Sequence, residues 1–309
     1  MIRSHQRIYT YVKRFKKTYL KKQIMILVTG ATSVIGQKLC QLLAENKKAF
    51  RAMCRKEDQL EKFRKQGIDA VLGNFEDPES LRSAIKGCNT LFLVSPPNEN
   101  QLECETKAID VTKQEQIAYI VRVSASDANL RSSVPWAKAH AHIDHHLRAS
   151  GIAWTILKPT AFMQNFLTMT KPISKGFLPQ VGGKGLVGYI DAQDIGRVAY
   201  HVLTQENHKR ATYYLNGPEA LGMNDIASQL SDAIGKTIRY VNLPSFAFRI
   251  LLRATGASRW LANGLIEQYA EVVAKNHDHD LGEEVFRLTN HQPRSFHDFA
   301  IENKDKFSN

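Results

Sequence analysis

The chain's 309 residues suffice for one large α/β domain or for a domain with an appended lobe, and a core that size needs no disulfide or metal staple. With 43% hydrophobic and 23% charged residues it reads as an ordinary soluble globular protein, and no stretch approaches the roughly 18 consecutive apolar residues of a membrane span. The net charge of +12 does not indicate nucleic acid: eight of those charges sit in residues 1–24, and the remainder of the chain nowhere interleaves basic and aromatic side chains.

Residues 1–24 contain Arg3, Arg7, Lys13, Arg14, Lys16, Lys17, Lys21 and Lys22, and no Asp or Glu. As a helix, residues 7–20 would put Ile8, Val12, Phe15 and Tyr19 on one stripe. Three readings compete. The segment is a membrane-surface or acidic-partner helix, a transit peptide that is basic but poor in Ser, or upstream sequence ahead of a working start at Met25. Met25 directly precedes a strand, which favours the third reading and a cytoplasmic protein; the others imply surface attachment or organellar targeting. Cys40, Cys54, Cys88 and Cys104 show no CxxC pattern and read as reduced thiols.

Residues 24–29 form a short apolar run suited to a buried parallel strand. Gly30-Ala31-Thr32-Ser33-Val34-Ile35-Gly36 follows, then a helical pattern from Gln37 to Leu43. Strand, glycine turn and helix in this order suit a dinucleotide. Gly30 permits the tight turn, and Gly36 lets helix and strand pack closely. The backbone of Thr32, Ser33, Val34 and Ile35 approaches the pyrophosphate at the helix N-terminus. Ser33 stands where a middle glycine is usual. It is tolerated if the backbone there needs no positive φ, and its hydroxyl can donate to a phosphate. A second strand over Ala49–Cys54 ends at Arg55, nineteen residues beyond Gly36, where an NAD enzyme carries Asp or Glu. A guanidinium there suits the 2′-phosphate of NADP, so NADPH/NADP is the expected cofactor and NADH the lesser one.

Further strands are expected over residues 70–74, 90–94 and 119–123. Ligands bind at the carboxyl ends of such strands, so Asn74 and Phe75, then Val94, Ser95 and Pro96, then Ser124 are expected to line the cofactor cleft. The fold class is therefore α/β, a Rossmann-type doubly wound parallel sheet.

At this point the residues resemble a known family. Ile26 to Gly36, the Gly73-Asn74-Phe75 turn, and the stretch from His140 to Asn165 are similar to the NmrA-like family of atypical short-chain dehydrogenases. The family's usual Glu is Asp144 here, and its frequent Arg is Lys158. Tyr189–Ile195 resembles the family's later strand and helix start, and Tyr214–Glu219 the strand leading to its C-terminal lobe. The resemblance implies a small C-terminal α/β substrate lobe. The core would then span about residues 25–160 plus 186–215, and the lobe about 161–185 and 216–309. It also implies either an NAD(P)H-dependent reductase of quinone-like acceptors or a non-catalytic sensor of nicotinamide redox state. An enzyme would partner with a small-molecule acceptor and a second copy in a homodimer; a sensor would bind a regulatory protein.

Ordinary short-chain dehydrogenases use Tyr-x-x-x-Lys for proton transfer. Here only Tyr9 has a lysine four residues on, Lys13, and both precede the nucleotide loop. That absence disfavours an epimerase and leaves two explanations: direct hydride transfer to an acceptor that collects its proton elsewhere, or binding without chemistry. For the reductase, Ser124 would hold the substrate oxygen, while Lys138 or His140 would serve the nicotinamide ribose or relay the proton. His142 and His146 share a helix face but lack the Glu of HExxH, so no metal is expected. His277-Asp278-His279-Asp280 reads as a polar loop.

Pro159 turns the chain beneath the nicotinamide, as the resemblance implies. Phe162, Asn165 and Phe166, with nearby Met163, Met169 and Phe177, either line an apolar acceptor pocket or form core between the lobes. Gly182-Gly183-Lys184-Gly185 is a flexible turn, not a phosphate loop. Residues 223–235 and 259–275 read as helices of the lobe.

Overall fold

Alternation within short apolar strands sends neighbouring side chains into two different cores, and this builds the molecule. The computed structural model describes residues 24–275 and 281–308. In chain order, β1 (Ile26–Val28) leads to α1 (Val34–Glu45), β2 (Phe50–Cys54) to α2 (Glu57–Lys65), β3 (Asp69–Leu72) to α3 (Pro78–Ile85), and β4 (Thr90–Leu93) to α4 (Gln101–Gln114). Next come β5 (Tyr119–Val123), which completes the five expected strands, α5 (Pro135–Ala149) and β6 (Ala153–Pro159). A short α6 (Thr170–Ser174), β7 (Phe177–Gln180), α7 (Ala192–Thr204) and β8 (Ala211–Leu215) follow.

Seven strands form one all-parallel sheet in the order β3-β2-β1-β4-β5-β6-β8. The order reverses between β1 and β4, which opens a crevice above their carboxyl ends. Ile26 and Val28 of β1, Phe92 of β4 and Val121 of β5 face a core closed by Leu39 and Leu43 of α1 and Val198 and Val202 of α7. Their neighbours Leu27, Leu91 and Ile120 face the opposite core, closed by Leu81 of α3, Ile109 of α4, and Ile143 and Leu147 of α5. The period of two therefore dictates the three-layer sandwich.

The C-terminal lobe adds α8 (Met223–Ile234), β9 (Arg239–Asn242), α9 (Ser245–Ala254), α10 (Arg259–Glu267), α11 (Glu284–Thr289), α12 (Phe296–Glu302) and α13 (Lys304–Ser308). β7 and β9 pair in parallel as a separate two-stranded sheet. The lobe has its own core, centred on Phe166, Tyr189, Ile226, Phe248, Phe296 and Phe299. Trp136, at the start of α5, joins lobe to sheet. Its ring meets Trp260 edge-on with centroids 5.5 Å apart, and its indole N–H donates to Gln268 Oε1 at 3.1 Å. Gln268 Nε2 in turn donates to Asp127 Oδ2 at 3.1 Å.

Two expected elements come out differently. Tyr189–Asp191 is not a strand; Ile190 makes only an isolated parallel bridge to Phe162, because the following helix begins at once under the Asp191 cap. The helix expected over 259–275 stays α-helical only to Glu267 and widens to a π turn over Gln268–Val272, where Gln268 is drawn towards Trp136. Residues 1–23 and the His277–Asp280 loop lie outside the described residues. None of the four cysteines is in a disulfide, and burial pushes the Cys40 thiol up to about 12, which leaves it inert at neutral pH.

Candidate active site

The nucleotide loop owes its shape to two glycines. Gly30 has φ +58, and a Cβ there would stand 2.6 Å from Val94 Cγ1. At Gly36 a Cβ would stand 2.2 Å from the carbonyl oxygen of Gly30. Ser33 has φ −74, so the position needs no glycine. Its Oγ accepts from the Gly36 N–H at 3.1 Å and caps α1, and its own O–H stays able to donate outward. The first amides of α1, at Val34 and Ile35, have no carbonyl within the helix to bond. Thr32, Ser33 and Val34 are exposed.

The neighbouring strand ends complete this rim. Arg55 is exposed just past β2. Asn74, after β3, is held by its N–H to Ser80 Oγ at 3.0 Å, and Phe75 packs against the core closed by α3, α4 and α5. Val94 is fixed by its N–H to Thr29 Oγ1 at 3.0 Å, while Pro96 is exposed.

Beyond the rim, at the carboxyl ends of β4, β5 and β6, lies a buried polar cluster. Arg122, fully buried in mid-sheet on β5, donates through Nε to Glu105 Oε2 at 2.7 Å, through Nη1 to Asp144 Oδ1, and through Nη2 to His140 Nδ1 at 2.8 Å. Ser95 Oγ donates to Glu105 Oε1 at 2.6 Å, and Ser124 Oγ to Asp144 Oδ2 at 2.9 Å. Lys158 Nζ lies 3.4 Å from Asp144 Oδ2 and over the Tyr214 ring, 5.7 Å from its centroid. Two cations thus offset two carboxylates.

That balance dictates the state of His140. Arginine can only donate, so Nδ1 of His140 accepts and the neutral ring carries its proton on Nε2. Burial, followed by the charges of Arg122 and Lys158, holds its pKa well below the ordinary value. Gln101 Nε2 is 3.5 Å from His140 Nε2, too far for a firm bond.

Folding suppresses protonation of His140, so its contribution to stability is complete above the unfolded pKa of about 6.5 and is lost as pH falls below that. Stability should fall by up to about 1.4 kcal/mol per pH unit from this group. His201 and His208 are lowered too, by burial first, so the test compares urea midpoints at neutral and mildly acidic pH for the parent and for His140→Asn. The variant should show a shallower acid slope; an identical slope would mean that His140 is protonated in the folded protein.

The structure brings together Ser124 and His140 but not Lys138. On α5, His140 and Asp144 share a face at i, i+4, while Lys138 is two residues from His140, on the other side of the helix, and exposed. His142 is likewise exposed, and His146 pairs with Asp110 at 2.7 Å. Among the described residues no group of three His, Cys, Asp or Glu side chains could hold a metal ion. Phe166 is core: it is 2% exposed, and its ring is flanked edge-on by Tyr189 and Phe296, each 5.1 Å away. Phe162 is half-buried and Asn165 exposed. Pro159 ends β6 and accepts from the Ser126 N–H at 2.9 Å. Glu105 and Arg122 were missed by sequence reasoning. The available signal was an arginine in the middle of an apolar strand, which burial permits only with a partner.

The sequence profile of the NmrA-like family matches residues 22–295. The chain is 30% identical over 277 residues to an NAD(P)H azoreductase of Xenophilus azovorans, covering 89% of this chain and 96% of that one. It is 26% identical to quinone oxidoreductase 2 of Escherichia coli (strain K12), covering 80% and 86%. Among solved structures it superposes on the NADPH-dependent quinone oxidoreductase of Escherichia coli complexed with NADPH, with a TM-score of 0.82, 24% identity, and coverage of 90% and 99%.

Proposed function

The chain belongs to the NmrA-like family, and from that premise we propose that it is an NADPH-dependent reductase delivering hydride to a small electrophilic acceptor such as a quinone. The observation that carries the reading is the glycine-bounded loop over the N-terminus of α1, with Arg55 exposed at the adjoining strand end. The names of the azoreductase and quinone oxidoreductase relatives support it.

The residues fit the cofactor. The Val34 and Ile35 amides and the Ser33 hydroxyl would hold the pyrophosphate, and Arg55 the 2′-phosphate. Bound there, NADPH supplies a hydride. His140 presents a neutral Nε2–H that can donate a hydrogen bond to an acceptor oxygen. A neutral imidazole does not surrender that proton readily, so the acceptor's proton comes from water. Ser124 has its O–H committed to Asp144 and offers only lone pairs to the cleft. Its part is to orient a hydroxyl or water that donates.

The test is loss of reduced-nicotinamide absorbance with purified protein and a panel of quinones, with cofactor affinities measured in parallel. Arg55→Glu should weaken NADPH binding roughly 10- to 100-fold, the loss of one or two charge-assisted bonds, and leave NADH binding nearly unchanged. Equal loss of both cofactors would remove Arg55 from the 2′-phosphate site. Tight NADPH binding without turnover of any quinone would overturn the reductase reading.

A further inference from the structure

The C-terminal lobe carries an exposed apolar and basic surface on α9 and α10. On α9, Phe246, Arg249, Ile250 and Arg253 follow one another at i, i+3, i+4 and i+7 and so share a face. Phe246 is 67% and Ile250 66% exposed, more than any other large hydrophobic side chain among the described residues. The opposite side of α9 is anchored in the lobe core through Phe248. The outward apolar pair is therefore not an unpacked part of that core.

Beside this stripe, Arg249 and Arg253 meet Arg259 and Asn263 of α10 around an open groove of about 490 Å³, with Glu267 at one side. The local sequence has one sign: residues 233–266 contain Lys236, Arg239, Arg249, Arg253 and Arg259, and no Asp or Glu.

We propose that this face docks on an anionic lipid bilayer, with Phe246 and Ile250 entering the acyl boundary and the arginine groove taking lipid phosphates. A guanidinium pairs bidentately with phosphate, and two protruding apolar side chains flanked by arginines match the interfacial helix pattern. A soluble phosphate ligand would leave the apolar pair without a role. A second copy of the chain fits poorly, because a twofold contact through this face would set arginine against arginine. The inference does not depend on the identity of the acceptor.

The experiment is co-sedimentation of the full chain with vesicles of phosphatidylcholine alone or mixed with phosphatidylglycerol, at low and high salt. Binding is expected to the mixed vesicles only and to weaken with salt. The paired variants Phe246→Ser/Ile250→Ser and Arg249→Gln/Arg253→Gln should each reduce partitioning by roughly tenfold or more. Thermal unfolding and turnover of a water-soluble quinone should match the parent, since these side chains lie outside the core and the catalytic cluster. Three results would overturn the proposal: no binding to mixed vesicles, both variants binding as the parent does, or conversion of a dimer to a monomer by the Phe246/Ile250 pair with vesicle binding intact. In the second case the N-terminal segment would be responsible. A protein that turns over quinone but ignores vesicles would refute only the docking.

Discussion

Gly36→Ala is expected to abolish measurable NADPH binding while leaving the protein folded. The added Cβ would lie 2.2 Å from the Gly30 oxygen and 2.7 Å from the Ala31 Cα. Both are backbone atoms, so no rotamer change relieves the contact. The loop must move away from α1, and overpacking of this kind costs about 1–3 kcal/mol. Function suffers more than stability. The amides proposed to receive the pyrophosphate belong to the same seven residues, and a displaced loop would no longer aim them at one point. Losing two charge-assisted bonds of about 1.5–3 kcal/mol each corresponds to a fall in affinity of roughly 100-fold or more. Ser33→Gly is the internal comparison. Ser33 already has an ordinary negative φ, so glycine gains nothing conformationally; it gives up a cap worth a few tenths of a kcal/mol and the single proposed hydroxyl contact to the pyrophosphate, so affinity should fall by no more than about tenfold. Fluorescence titration with NADPH separates the two. If Gly36→Ala bound as tightly as the parent, the pyrophosphate would lie elsewhere.

The contrast between Gly36 and Phe166 explains what the sequence revealed and what it did not. The loop was legible because its constraints are local: strand, turn and helix are contiguous, and each glycine is required by atoms within seven residues or by the adjacent strand. The same holds for β1, β4 and β5, whose short runs are buried along their whole length. For Tyr189–Ile195 the family resemblance implied a strand and then a helix start. Whether the strand pairs along its length depends on where α7 starts, and the Asp191 cap starts it after a single bridge. Phe166 was ambiguous for the same reason. An aromatic after β6 can face a cleft or a core, and only the arrival of Phe296, 130 residues later in the chain, decides for the core.

The buried polar cluster shows the same limit more sharply. Ser124 and His140 were visible as polar residues at a strand end and on the following helix. Their setting was not, because it comes from Glu105 on α4, Asp144 on α5 and Lys158 on β6, gathered around an arginine that reads as one letter in an apolar strand. Lys138 looked as good a candidate as His140. Two residues along a helix is about 200°, and that rotation alone separates them.

Arg122→Met should be the most destabilising single substitution in the sheet, at about 3–5 kcal/mol. Methionine fills much of the volume, so the loss is electrostatic rather than a cavity. It leaves the Glu105 and Asp144 carboxylates buried with only Lys158 as a counter-charge, and only Asp144 is near that lysine. Urea unfolding measures the loss. The triple variant Arg122→Met/Glu105→Gln/Asp144→Asn should recover a large part of it, because neutral amides do not need the missing charge. Arg122→Lys should fall between: a single ammonium keeps the charge but cannot reach three partners with fixed geometry. A second readout distinguishes positioning from mere stability. Without the guanidinium, His140 loses both the donor that fixes its tautomer and one of the charges that hold its pKa down, so the acid limb of a turnover profile should move to higher pH although burial still depresses it. A variant that is destabilised but has an unshifted profile would make Arg122 purely structural. A shifted profile in the Lys variant, which retains charge without the fork, would assign the tautomer of His140, and hence the Nε2–H offered to the acceptor, to Arg122 itself.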